Sequence, residues 1–295
     1  MQVILHCGAH ATEEDLLLKS LLKNTGDLAR HGTQVPGPGR YRTLLRECIA
    51  ALQTGEPAPN ASEVLWDAIL EGGEARCAVL SNPHFFGSQR HGLSGSRLYP
   101  EAEARLRALQ ALFPRDRLEV FLALRNPASF LPALLAKVSP ATRRDLLGAC
   151  DPSALRWSDL LTRMRAAAPE ITLTVWCFED APLIWGTVLR RMAGLAPEAR
   201  LRGGLDLLAS LMPAAGMQRL RAFLDAHPGM REPHKQRVFA AFLAKYALED
   251  AVEEELDLPG WNDALVDQLT ALYETDLAAI RALPGVTLIE PSLPA

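Results

Sequence analysis

The sequence predicts an α/β fold: a parallel sheet of about five strands with helices on both faces. Three observations carry that prediction. Five short β-rich runs recur along the chain, most of them nearly continuous apolar stretches, the pattern of strands covered on both sides. Helix-like segments alternate with them, as they do where helices wrap a parallel sheet. From about Leu205 to Leu283 the pattern turns almost purely helical, which predicts a helical portion packed on the sheet and returning the chain for its last strand.

In chain order, Gln2–Cys7 is the first strand, built on Val3-Ile4-Leu5. It enters a tight turn at His6-Cys7-Gly8-Ala9-His10-Ala11-Thr12 and leaves through acids into the helix-forming Glu14–Lys23. Strand, glycine turn and helix form a geometry that can aim backbone N–H groups at an anion. Helices are predicted over Tyr41–Gln53 and Ala61–Glu71, a strand over Arg76–Ser81, a helix over Glu101–Phe113 and a strand over Leu118–Leu124. The helix Ser158–Ala168, the strand Ile171–Cys177, the helix Pro182–Met192 and the strand Val286–Ile289 follow. Gly and Pro mark loops at Gly32–Gly39 and Gly87–Gly95, and breaks in the helical region at Pro213, His227-Pro228-Gly229 and Leu258-Pro259-Gly260. None of these is long enough for an interdomain linker, so residues 1–295 read as one domain with 205–283 as its helical portion.

Composition narrows the class. At 295 residues, with 48% hydrophobic and 22% charged residues, the chain has the make-up of a soluble globular protein. A formal charge of −4 argues against a nucleic-acid partner. Cys7, Cys48, Cys77, Cys150 and Cys177 make an odd count without a C-x-x-C spacing, and Cys7, Cys77 and Cys177 end or sit inside strand-like runs, so buried thiols of a reducing compartment are expected. No apolar run is long enough to span a bilayer, and no basic-then-apolar leader precedes Val3. A cytoplasmic protein without a membrane partner is the expectation.

Four stretches carry a family likeness: the strand–turn–helix around His6–Thr12, Val79-Leu80-Ser81-Asn82-Pro83-His84-Phe85-Phe86-Gly87, Val120-Phe121-Leu122-Ala123-Leu124-Arg125-Asn126-Pro127, and Thr174-Val175-Trp176-Cys177-Phe178-Glu179-Asp180. In that order and spacing, and with Tyr273-Glu274-Thr275-Asp276 and Leu283-Pro284-Gly285-Val286 near the end, the chain resembles the bacterial sulfotransferase family. The resemblance implies a P-loop nucleotide-kinase-like sheet whose first and third predicted strands are neighbours at a topological switch point. It also implies 3′-phosphoadenosine 5′-phosphosulfate as sulfuryl donor, held by Gly8, Ala9, His10, Ala11 and Thr12. Arg125 would grip the donor's 3′-phosphate. The serine that the family places beyond this arginine is replaced by Ala133, with Ser129 nearer. His84 falls on the acceptor side, where a histidine can serve as base toward a small-molecule or glycan acceptor.

Sulfuryl transfer needs the leaving phosphate charge neutralised. The family does this with Gly-x-x-Lys followed by small residues. Here Ala11 stands in the lysine slot, Glu13 and Glu14 follow, and Thr12 alone keeps the type. The same letters read as local structure: Thr12-x-x-Asp15 makes a capping box, with acids complementing the dipole of a first helical turn. A carboxylate about 5 Å from a phosphate charge costs about 3 kcal/mol at an effective dielectric near 20. That is roughly a hundredfold in affinity, so the donor site is expected to be impaired. His10 substitutes for the missing cation if protonated, or is an exposed turn histidine. Arg125 is either a bidentate phosphate clamp or a strand-end arginine paired with Glu179, Asp180 or another acid. His84 is either a base or a loop histidine with no proton to move.

Other constellations carry less. Arg90 and His91 could bind an acidic acceptor or be solvated, and Arg200 and Arg202 before Gly203-Gly204 suit a basic donor loop or a helix end. His6, Cys7 and His10 lack metal-ligand spacing. The acids Glu249, Asp250, Glu253, Glu254 and Glu255 read as a solvated helix face. Two functions therefore stand: a sulfotransferase with an impaired donor site, or a non-catalytic binding or scaffold protein on that fold.

Overall fold

A computed structural model describes residues 1–52, 55–252 and 258–292. Its centre is a six-stranded, all-parallel sheet, one strand more than the sequence predicts. The strands are β1 (Gln2–His6), β2 (Thr33–Gln34), β3 (Cys77–Ser81), β6 (Arg117–Leu124), β7 (Thr172–Cys177) and β8 (Val286–Ile289), in the spatial order β2-β3-β1-β6-β7-β8. A two-stranded antiparallel ribbon, β4 (Leu93–Ser94) and β5 (Arg97–Leu98), lies between β3 and β6 in the chain. The additional sheet strand is β2, two residues inside the Gly32–Gly39 stretch that reads as a loop. It gains its ladder only by pairing with Cys77 and Ala78 of β3.

The first and third predicted strands, β1 and β6, are neighbours, with Gln2 to His6 opposite Arg117 to Phe121. The chain leaves β1 toward β3 on one side and returns as β6 on the other, so the order reverses between β1 and β6. Crevices at the carboxyl ends of strands at such points are where open α/β sheets bind ligands.

Fourteen helices of the described residues surround the sheet: α1 (Leu16–Leu22), α2 (Thr25–Arg30), α3 (Arg42–Ala51), α4 (Ala61–Leu70), α5 (Ala102–Leu112), α6 (Pro127–Leu135), α7 (Pro140–Ala149), α8 (Trp157–Ala167), α9 (Ala181–Met192), α10 (Asp206–Leu211), α11 (Ala214–Ala226), α12 (Glu232–Tyr246), α13 (Glu249–Val252) and α14 (Asp263–Arg281). Alternate strand residues feed two apolar clusters. Val3, Leu5, Val120, Leu122 and Val175 pack toward α3, α4, α5, α8 and α14, while Ile4, Val79, Phe121 and Trp176 pack toward α1 and α9. Both faces of the sheet are thus covered, which is why its strands read as unbroken apolar runs. A third cluster, Leu208, Met212, Met217, Leu220 and Phe239, joins α10, α11 and α12.

Several local expectations are corrected. The helix predicted from Glu14 begins at Leu16, so Glu13, Glu14 and Asp15 precede it and its first turn holds no acid. Thr12 and Asp15 form no capping box: the Thr12 hydroxyl donates to the Ala9 carbonyl at 2.7 Å. Asp15 takes the N-cap position without a side-chain cap bond, and its carboxylate accepts from Arg42 Nη2 at 2.5 Å. The segments of α2, α6 and α7 are helical where no helix is predicted. Glu249 and Asp250 lie exposed on α13, whereas Glu253, Glu254 and Glu255 fall outside the described residues, as does Gln53 of the third predicted helix. No helix among the described residues is long and apolar enough to cross a membrane.

Candidate functional site

The crevice lies beyond the carboxyl ends of β1, β3 and β6. The β1–β6 ladder runs on past His6: the Cys7 N–H donates to the Phe121 carbonyl at 2.9 Å, the Ala123 N–H to the Gly8 carbonyl at 2.8 Å and the Ala9 N–H to the Ala123 carbonyl at 3.3 Å. Gly8 adopts φ +91°, a conformation that side chains resist, and a Cβ there would lie 3.3 Å from the His10 nitrogen. Ala11 also has positive φ, 55°.

Arg125 is bonded to the loop from Gly8 to Thr12. Arg125, 4% exposed at the end of β6, donates from Nη1 to the Ala11 carbonyl and from Nε to Ser129 Oγ at 3.0 Å. Its guanidinium lies 4.8 Å from the centre of the Phe178 ring. The structure therefore brings Arg125, Ser129 and the Gly8–Thr12 loop together. Glu179 accepts from the Asn126 N–H at 2.7 Å and from the Tyr273 hydroxyl at 3.3 Å. Burial raises its pKa, while those hydrogen bonds and Arg125 act in the opposite sense.

Beneath the loop, three side chains from three segments form one buried chain. The Ser81 hydroxyl, at the end of β3, lies 2.8 Å from His6 Nδ1, and His6 Nε2 lies 3.1 Å from Glu13 Oε1. Glu13 is thus turned inward, its Oε2 without a partner among the described residues. Serine, histidine and carboxylate stand in a nucleophile–base–acid order, but Ser81 is fully buried and its carbonyl is clamped by the Tyr41 hydroxyl at 2.8 Å and Arg42 Nε at 2.9 Å. The group braces strand ends rather than facing a substrate.

His10 is neither exposed nor a replacement cation. It is 2% exposed, and burial, aided by repulsion from His84, lowers its pKa from 6.5 to about 4, so it is neutral at pH 7. The Tyr99 hydroxyl accepts the His10 main-chain N–H at 2.9 Å and lies 3.0 Å from His10 Nδ1. With its oxygen accepting one proton, Tyr99 satisfies its own O–H by donating to Nδ1. The His10 proton is thereby assigned to Nε2, 3.2 Å from His84 Nδ1. His84 is exposed at the crevice.

Two adjoining cavities share Arg42, His84 and Gln89. One, of about 430 Å³, lies against the loop and is lined by Ala9, His10 and Ala11 together with the carboxylates Glu13, Glu14 and Asp15 and the cations Lys19 and Arg42. The other, of about 520 Å³, lies over the start of α3 and contains Arg42, Arg46, Arg105, His84 and His91, with no acid in its lining. Arg42 joins them: it holds the Ser81 carbonyl and Asp15 together, and this hydrogen bond keeps the Asp15 carboxyl below its ordinary range. His91 is tied to Ser88 at 2.9 Å. Arg202 lies apart, its main-chain N–H and carbonyl both held by the Asn24 side chain, and Arg200 lines a separate cavity beside α9 and α11. His6, Cys7 and His10 point to different partners, Cys7 Sγ to the Leu5 carbonyl, and no cluster with metal-ligand composition occurs among the described residues.

Tyr99, Ser81, Tyr41 and Arg42 carry the geometry of this site, and sequence reasoning does not single them out. Their contacts cross 89, 75 and 40 positions of chain for Tyr99–His10, Ser81–His6 and Tyr41–Ser81, distances at which no local motif gives a signal. No family model matches the sequence, and no curated protein matches it.

Proposed function

We propose that the chain is a non-catalytic binding protein on a sulfotransferase-like fold, with the donor position filled by its own side chains. One observation carries this reading. Arg125, which the resemblance assigns to the donor's 3′-phosphate, is engaged with the Ala11 carbonyl and with Ser129, which stands nearer than the family's serine. The loop opposes an anion in other ways too. The N–H groups of Ala9 and His10 are committed to Ala123 and Tyr99, no lysine stands at Ala11, and three carboxylates against two cations, Lys19 and Arg42, line the adjacent cavity. One unscreened carboxylate at about 5 Å weakens a phosphate by roughly a hundredfold. The five cysteines are all unpaired, which suits a reducing compartment, and a cytoplasmic location belongs to the proposal.

A second reading, an active sulfotransferase using the phosphosulfate donor, is favoured by the retention of an arginine and a serine side by side. Calorimetric titration with 3′-phosphoadenosine 5′-phosphate separates the two. The binding-protein reading expects no heat at millimolar nucleotide. Micromolar binding that disappears in Arg125→Ala would overturn it in favour of the sulfotransferase.

A further inference from the structure

We propose that the 520 Å³ cavity over the start of α3 binds a small organic anion with an apolar body. This deepens the binding-protein reading above and rests on it. The volume suits a small organic ligand, and the polar groups that face it are predominantly hydrogen-bond donors.

Their placement follows from the surrounding structure. His84 lines the cavity, with its Nδ1 3.2 Å from His10 Nε2. Asn82 spends its carbonyl oxygen on the His84 main-chain N–H at 3.0 Å, so its amide nitrogen is left as a donor. Arg46 is exposed, and its nearest carboxylate, Glu47, is 4.0 Å away. Arg105 is held in place by Glu101 at 2.8 Å and Arg42 by Asp15, two acids that stand outside the lining. Acids therefore hold two of the three guanidinium groups, and neither acid lines the cavity. The N-cap of α3, Tyr41, makes no side-chain cap bond, so the first turn of this ten-residue helix adds the positive end of its dipole beside Thr43.

The remaining lining defines the rest of the ligand. Phe85 and Ile49, both buried, form an apolar floor on which an aromatic ring or alkyl body can rest. A carboxylate, phosphate or sulfate would face the arginines with its hydrocarbon over that floor. The adjoining cavity mixes the carboxylates Glu13, Glu14 and Asp15 with Lys19 and Arg42, so the acid-free lining belongs to the cavity over α3.

The full-length protein titrated calorimetrically with phenyl phosphate, and in parallel with phenol, tests this. Phenyl phosphate is expected to bind, with phenol at least about tenfold weaker because it lacks the charge. Arg46→Gln, at an exposed position that the fold does not depend on, is expected to weaken phenyl phosphate about five- to tenfold while leaving phenol unchanged. Arg105→Gln provides a second variant, with circular dichroism as the check on folding. Equal affinity for phenyl phosphate and phenol, absence of phenyl phosphate binding, or affinities unmoved in both variants would overturn the proposal. The donor-site reading fails separately. Nucleotide binding abolished by Arg125→Ala but indifferent to Arg46→Gln would remove that reading and leave the cavity assignment intact.

Discussion

His10 ties the loop after β1 to pH. In the unfolded chain its imidazole titrates near 6.5, whereas in the fold it titrates at about 4, because protonation would place a charge in a buried site beside His84. Between those values the unfolded state binds the additional proton, so stability rises with pH across this window. The contribution is fully present above 6.5 and lost as pH falls to about 4, amounting to about 3 kcal/mol. Urea unfolding of the parent and of His10→Asn across this range is expected to show a pH slope in the parent that the variant lacks. Equal slopes would mean that His10 is not held neutral. The turn position and histidine are legible in the sequence, but the charge state is not. It depends on Tyr99, 89 positions away. Similarly, Thr12 and Asp15 have capping-box spacing, yet the Ala9 carbonyl and Arg42 take their side chains.

At the scale of elements, packing across the sheet decides what the sequence discloses. β1, β3, β6 and β7 are legible because both faces are buried and almost every residue is apolar. β2 is not legible, since two residues among glycines and prolines carry no period. α7 buries no residue, so it lacks the apolar stripe that reveals a helix, and α6 carries Pro132 in its interior, a residue that reads as a helix breaker. The start of α8 depends on a distant element. Asp276 of α14, 4% exposed, accepts from the Trp157 N–H at 2.7 Å, the Ser158 N–H at 3.2 Å and the Ser158 hydroxyl. Trp157 in turn donates from Nε1 to the Arg125 carbonyl at 2.8 Å, so this cap also holds the end of β6. Asp276→Ala strands two amides and a hydroxyl in the interior and is expected to cost about 3 kcal/mol. Asp276→Asn retains an acceptor oxygen and is expected to cost about half as much. Urea midpoints measure both, and an alanine variant as stable as the parent would show that α14 does not cap α8.

For the whole molecule, the sheet brings β1 beside β6 and so sets Arg125 against the loop that follows β1. That adjacency is expected from the resemblance, and the use made of it is not. The arginine grips a carbonyl of the loop, Glu13 turns beneath it toward His6, and the open space is divided between a cavity of mixed charge and a basic one. The central claim, as proposed above, is that Arg125 is committed to this loop and that the loop does not take a nucleotide's phosphates. A crystal structure of the protein grown with millimolar 3′-phosphoadenosine 5′-phosphate tests it most directly. The account predicts Arg125 still on the Ala11 carbonyl, Glu13 still on His6 and no nucleotide over residues 8–12. A nucleotide seated there, with Arg125 turned onto its 3′-phosphate, would contradict it.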